Sequence, residues 1–291
     1  MLVAQKTICM EILQGSSIPF YVHKVSALGD DIFALCKQGS QYIIKAYDRN
    51  NLAKVKDIYL PETHAVDFAA CDVSNYLYVL AANMEFDCPS IYRIRKDAEN
   101  KFHASVWIRI LKLPLSRISV SVSGHLVFHS KGGGHIPSVL RIIDERGSLL
   151  NKILLSKVNP SFETRFGDSL IHKPNGNIIL TSVNSKYQIE LTEIDARGRI
   201  VRQHKPPLSG GSGVNFADAY GRVIITHTYN GVEVLDSEFN LLKVTVAPMS
   251  GRVQFKVPHI MHYNRQRDEV VGIYANSTTT STLSIFRFKE E

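Results

Sequence analysis

Tryptophan occurs once in these 291 residues, at Trp107, so no motif built on a repeated tryptophan is present. Cysteine occurs four times, as Cys9, Cys36, Cys71 and Cys88, with no CxxC pair and no clustering with histidine. That spacing offers neither a disulfide framework nor a zinc ligand set. Cys36 and Cys71 instead fall inside apolar runs, where a thiol behaves as a small hydrophobe. No run approaches the roughly 18 apolar residues of a membrane span. The opening MLVAQKTICMEILQG lacks the basic start, apolar block and cleavage site of a secretion signal. A reduced, cytoplasmic chain is the expectation. Helical periodicity of any length is missing, which speaks against an α/β fold. Neither a Gly-x-Ser-x-Gly elbow nor a His-Glu-x-x-His run occurs. The formal charge is +7, yet no block of five or six like charges appears, as a dedicated nucleic-acid tail would show.

What the chain does contain is repetition. Val139 to Ile143 reads as a strand, Asp144-Glu145-Arg146-Gly147 as a tight turn, and Ser148 to Leu155 as the returning strand. Asp opens such turns because its carboxylate bonds its own backbone two residues on, and Gly closes them because it accepts positive φ. The same phrase returns at Tyr187 to Gln203 and Gly231 to Val246, and more roughly at Tyr42 to Tyr59. A second phrase precedes each copy: a polar or glycine turn, then a run of β-branched and aromatic residues. Its landmarks Ile32, Leu77, Leu126, Ile178, Val223 and Val270 are spaced by 45, 49, 52, 45 and 47 residues. That is the period of a propeller blade.

The spacing predicts an all-β, six-bladed β-propeller formed as a single domain over residues 1–291. Its blades run over about 18–60, 62–113, 115–158, 164–207, 213–248 and 257–288. Pro61, Pro114, Pro160, Pro206 and Pro207 mark several boundaries, where the chain leaves one sheet without donating to its ladder. Blade six is one strand short. Thr7 to Leu13 has strand composition and no blade of its own, so it is expected to supply the outer strand of blade six and close the ring.

The alternation of turn-Gly-strand and strand-Asp-x-x-Gly-strand resembles the NHL-repeat six-bladed propellers, like those ending many RING/B-box/coiled-coil (tripartite-motif) proteins. SVSVSGHLVFHS at Ser119 to Ser130 and SLIHKPNGNIILTS at Ser169 to Ser182 carry the first half of that pattern. RIIDERGSLL at Arg141 to Leu150 and TEIDARGRIV at Thr192 to Val201 carry the second. The Asn-His-Leu signature itself is absent, and no RING, B-box or coiled coil is attached. Trp107 is not part of a repeated Trp-Asp, which sets the WD-repeat propellers aside. The resemblance implies a platform that binds protein or RNA across one face without chemistry.

In this topology the connections before each inner strand and between the second and third strands gather on one face, the top, around a central channel. Alignment on the second strands nominates His23, His64, Arg117, Asp168, Asn215 and His259 as rim residues. Such a ring is able to hold an anion or a divalent metal. The plainer account is that channel mouths are wet and tolerate polar groups. The top loops add Lys131, His135, Arg165, Lys186, Tyr187, Tyr229, Arg252 and Lys256, with Glu85 and Asp87 of opposite sign among them. Lys131-Gly132-Gly133-Gly134-His135 fails as a phosphate loop, because no Lys-Ser/Thr and no helix follow. Pro174-Asn175-Gly176 is read as a hairpin turn on the opposite face.

The functional expectation is therefore a non-enzymatic platform without a cofactor, monomeric as an isolated domain, whose top face binds a protein or peptide. RNA is a possible ligand. The alternative, from another class, is a metal-dependent hydrolase or lyase of lactonase type at the channel mouth.

Overall fold

Six runs of the sequence are apolar at consecutive positions rather than at alternate ones, and the fold shows why. The structure, a computed structural model, describes residues 7–38, 41–60, 64–82, 89–109, 115–130, 137–159, 162, 166–183, 189–205, 212–227, 231–246, 260–275 and 279–290. Strand β1 (Thr7–Ile18) comes first. Blade one is β2 (Val22–Leu28), β3 (Asp31–Gln38), β4 (Gln41–Asp48) and β5 (Lys54–Ile58). Blade two is β6 (His64–Cys71), β7 (Tyr76–Ala82), β8 (Ser90–Lys96) and β9 (Phe102–Arg109). Blade three is β10 (Leu115–Val120), β11 (Leu126–Ser130), β12 (Val139–Ile143) and β13 (Leu149–Leu154), followed by the single helical turn α1 (Leu155–Val158). Blade four is β14 (Phe166–His172), β15 (Ile178–Val183), β16 (Ile189–Ile194) and β17 (Ile200–His204). Blade five is β18 (Ser212–Ala217), β19 (Val223–His227), β20 (Gly231–Leu235) and β21 (Leu241–Val246). Blade six holds β22 (Ile260–Asn264), β23 (Glu269–Ala275) and β24 (Ser281–Glu290).

Each blade pairs its strands antiparallel in chain order, and the core lies between blades. Among the described residues six buried clusters occur, each at one interface of the ring. In β7, Leu77, Val79 and Ala81 enter the cluster shared with blade one, while Tyr78 and Leu80 enter the cluster shared with blade three. In β15, Ile178 and Leu180 face blade three and Ile179 faces blade five. A second strand is thus buried on both faces, which demands an unbroken apolar run. The last cluster joins Val22, Ile32 and Cys36 of blade one to Val271, Ile273 and Ile285 of blade six, closing the circle. Each aliphatic side chain buried this way contributes about 1.5–3 kcal/mol.

The turns obey the chemistry read from the sequence. The Asp144 carboxylate accepts the N–H groups of Arg146 at 2.9 Å and Ser148 at 2.7 Å. Asp97, Asp195 and Asp236 repeat the pair of bonds at 2.8–2.9 Å. The N–H groups of Lys101 and Arg199 are the main cause holding the Asp97 and Asp195 carboxyls below the usual carboxylate range. Gly147 and Gly198 take φ of 88° and 84°, the region where a Cβ is strained. Blades two and five place Asn100 and Phe239 at that position, at 61° and 67°.

β1 is the outer strand of blade six, antiparallel to β24 from Ile8 opposite Glu290 to Ile18 opposite Ser281. It is longer than the segment its composition suggests. Gln14 to Ser17 continue the ladder although they are polar, because an outer strand needs no apolar solvent face, and Gly15 admits the Ser284 hydroxyl at 3.1 Å from where its Cβ would sit. Ile18, expected to open blade one, is instead the last residue of β1. Thr7 to Met10 also pair parallel to Lys243 to Val246, so blades five and six form one eight-stranded sheet. No helix among the described residues is long and apolar enough to cross a membrane.

Candidate functional site

The inner strand of each blade is an edge strand, with one row of backbone groups left unpaired by its own sheet. Those edges enclose a central cavity of about 770 Å³. Five of the six inner strands break register with their neighbour: between Val22 and Lys24, Ala65 and Asp67, Leu115 and Arg117, Phe166 and Leu170, and Val214 and Phe216. A bulge re-aims the side chain that follows it. In blades one, two and three the break falls at one level, opposite Leu35, Leu80 and His129, and sets Lys24, Asp67 and Arg117 side by side on the cavity wall.

Asp67 is 2% exposed and joins three blades. Its carboxylate accepts the backbone N–H of Ile118 from blade three at 2.9 Å, its own neighbour Phe68 N–H at 3.0 Å, and the ammonium of Lys24 from blade one. An acid in an apolar strand is thereby matched by donors, as a buried charge requires. Its lone pairs are occupied by the fold. Among the described residues no three His, Cys, Asp or Glu side chains converge where a metal ion would sit.

At the top, blade one presents a row of rings. Tyr21 and His23 meet edge-on with centroids 5.0 Å apart, and His23 and Tyr42 at 5.1 Å. The Lys37 ammonium lies 6.0 Å from the Tyr42 centroid. Partial burial, helped by Lys37, lowers the His23 pKa from its ordinary value, so the ring is neutral near pH 7. His23 and Lys37 are exposed.

The opposite end of the cavity is lined by His172, His262, Asp72 and Arg265. Burial pushes the His172 and His262 imidazoles down to about 3, with the charges of Arg265 and, for His262, Lys24 adding to the effect. Burial likewise lowers the Arg265 guanidinium and raises the Asp72 carboxyl, each partly offset by the other's charge.

Of the rim residues expected from sequence, His23 and Arg117 line the cavity. His64 opens β6 opposite Ala82, while Asp168 and Asn215 lie in β14 and β18 at their register breaks. The side chains of those three fall outside the described part of the structure. His259, Lys131, His135, Arg165, Lys186, Tyr187, Tyr229, Arg252 and Lys256 lie outside the described residues. Lys24, Asp67, His172, His262 and Arg265 were not singled out by the sequence pattern. The lone acid in HAVDFAAC was the available signal for Asp67.

No known family profile matches the chain, and neither does any curated protein sequence. Solved structures do. A gluconolactonase from Xanthomonas campestris superposes with a TM-score of 0.58 at 12% identity, covering 94% of this chain and 91% of the other. The β-propeller domain of Cps50 (Swd1) from Myceliophteria thermophila gives 0.55 at 12%, covering 95% and 99%. A protein of unknown function from Bacteroides caccae gives 0.53 at 14%, covering 84% and 82%. At such identities the likeness is one of fold: this chain is an all-β, six-bladed propeller.

Proposed function

We propose that the propeller is a non-enzymatic platform that binds an acidic protein segment across the top mouth of its channel. The observation that carries this is the row Tyr21–His23–Tyr42, its two tyrosines half-buried and His23 exposed, with the exposed Lys37 beside it. Rings supply rigid contact area at low entropic cost, and Lys37 gives a carboxylate-bearing segment its orientation. The central acid that a metal-dependent mechanism would call on, Asp67, is engaged by Lys24, Ile118 and Phe68.

A displayed random-peptide library, selected on the wild-type chain and counter-selected on a His23→Ala/Tyr42→Ala/Lys37→Glu variant, tests the proposal. Enrichment of acidic sequences that bind wild type and not the variant is the expected result. Absence of enrichment, or equal binding to both, contradicts it. Because one fold neighbour is a gluconolactonase, lactone hydrolysis with a divalent metal is the second reading. It predicts turnover of gluconolactone on adding Ca²⁺, Zn²⁺ or Mn²⁺. A third ligand class, single-stranded RNA, would stack on the same rings with an affinity that falls steeply with salt.

A further inference from the structure

The bottom end of the channel carries a second site, and we propose that it binds a small hydroxycarboxylate monoanion, with Arg265 holding the carboxylate and His172 a hydroxyl. This does not rest on the top-face reading. Six inner-strand residues occupy one level near the bottom, each opposite the landmark residue of its second strand: Ala27, Ala70, Val120, His172, Ala217 and Tyr263. Three are alanines, which leave the channel open there. Blade four alone places an imidazole at this level.

His172 is 5% exposed, lines the cavity, and among the described residues has no hydrogen-bond partner at either ring nitrogen. Native structures satisfy nearly all buried polar atoms, so an unsatisfied ring in a cavity wall marks a place for a ligand, reached by a turn of the ring because neither nitrogen is open to the cavity in this structure. Arg265 stands on the turn between β22 and β23, lines the same cavity, and is close enough for its charge to act on His172. Among the described residues Arg265 makes no hydrogen bond or ion pair, and two carboxylates act on it only through their charge. One of them, Asp218, is taken by Arg222 at 2.5 Å. The other, Asp72, leaves the guanidinium fork unfilled.

A carboxylate completes that fork bidentately. Asp72 adds one negative charge nearby, which disfavours a dianion and accepts a proton-bearing hydroxyl. The other groups facing His172 are cationic or neutral: His125 and Arg265 act on it by charge, and His262 shares the wall. Held neutral by burial, His172 carries one N–H and one bare nitrogen on divergent sides of the ring, so a hydroxyl meets one of them, accepting from the N–H or donating to the bare nitrogen. A cavity of about 770 Å³ is in the range that takes small molecules.

The test is calorimetric titration of the full chain with lactate, glycerate and gluconate at constant ionic strength, with glycerol and inorganic phosphate alongside. Saturable binding of at least one hydroxycarboxylate, with Kd of about 1 mM or tighter and none for glycerol, is expected. Arg265→Gln weakens it about tenfold or more, an effect of about 1.4 kcal/mol. No saturation by any of the three, unchanged affinity in Arg265→Gln, or tighter binding of phosphate overturns the proposal. Should Arg265→Gln fail to fold, the ¹³Cε1 resonance of His172 in wild type decides: it moves on adding the bound acid, and a stationary resonance refutes the site.

Discussion

Replacing Asp67 with alanine tests the role of the central acid. The carboxylate is 2% exposed and accepts Ile118 N–H at 2.9 Å, Phe68 N–H at 3.0 Å and the Lys24 ammonium. A buried donor stripped of its acceptor costs about 1–3 kcal/mol. The Ile118 N–H is buried in the native protein but lies on the cavity wall, so removing the carboxylate opens room for water to replace it and its cost belongs at the lower end. The Lys24 side chain is 33% exposed and hydrates when freed, which discounts the ion-pair part. Together these give about 2–4 kcal/mol for Asp67→Ala, by the per-bond cost. In melting temperature that is a fall of roughly 4–8 °C, at roughly 2 °C per kcal/mol for a chain of this size. Asp67→Asn keeps an acceptor oxygen for one N–H and loses the charge, so about 1–2 kcal/mol is expected. Urea unfolding of the three proteins gives the numbers. A change below about 0.5 kcal/mol in Asp67→Ala, the size of an ordinary surface substitution, would refute the assignment of Asp67 as the clasp of blades one, two and three.

Gly198 and Gly176 share the left-handed region at φ of 84° and 86°, but a Cβ on Gly198 would lie 2.7 Å from Ile153 Cγ2 while one on Gly176 meets nothing within 4 Å. Urea unfolding should therefore show a loss of about 1–2 kcal/mol for Gly176→Ala, the left-handed cost, and a clearly larger one for Gly198→Ala; equal losses would contradict the packing. Glu193, 1% exposed, binds Lys173 at 3.0 Å and Asn177 at 2.6 Å and forms an ion pair with Arg202 at 3.2 Å. Glu193→Ala should cost about 3–5 kcal/mol, and a loss under about 1 kcal/mol would show the network to be idle. Removing residues 1–18 bares the edges of β24 and β21, so size-exclusion chromatography should report dimers or aggregates; a stable monomer with unchanged melting would count against closure by β1. His172 and His262 are pushed from 6.5 to about 3, so the folded state holds them neutral. The stability they contribute is full above about pH 6.5 and falls as pH drops toward 3, at about 1.4 kcal/mol per unit for each proton. The stability slope between about pH 4 and 6 should be shallower by about that amount in His172→Gln; an unchanged slope would refute a neutral buried imidazole.

The architecture was legible because its chemistry is local. Asp144, Asp195 and Asp236 announce their turns through bonds to backbone two and four residues on. The runs around Leu77 and Ile178 announce strands buried on both faces. The channel wall was harder to read. A bulge adds one residue that spacing cannot detect, so counting back from the second strand chose His23 and His64, whereas strand pairing sets Lys24 and Asp67 level with Arg117. His172 lay in a stretch dominated by its turn, Lys173-Pro174-Asn175-Gly176, and its isolation becomes visible only once five other blades show Ala, Val or Tyr at the same level. The parallel pairing of β1 with β21 is likewise a consequence of ring closure that no local pattern encodes.

The most direct test of the platform is hydrogen–deuterium exchange with and without an acidic peptide taken from the library selection. Slowed exchange at the start of β2, the end of β3 and the start of β4, around Tyr21, Lys37 and Tyr42, is the predicted result. Protection confined to the turns around Asp144 and Asp195 on the opposite side, or none anywhere, would contradict it.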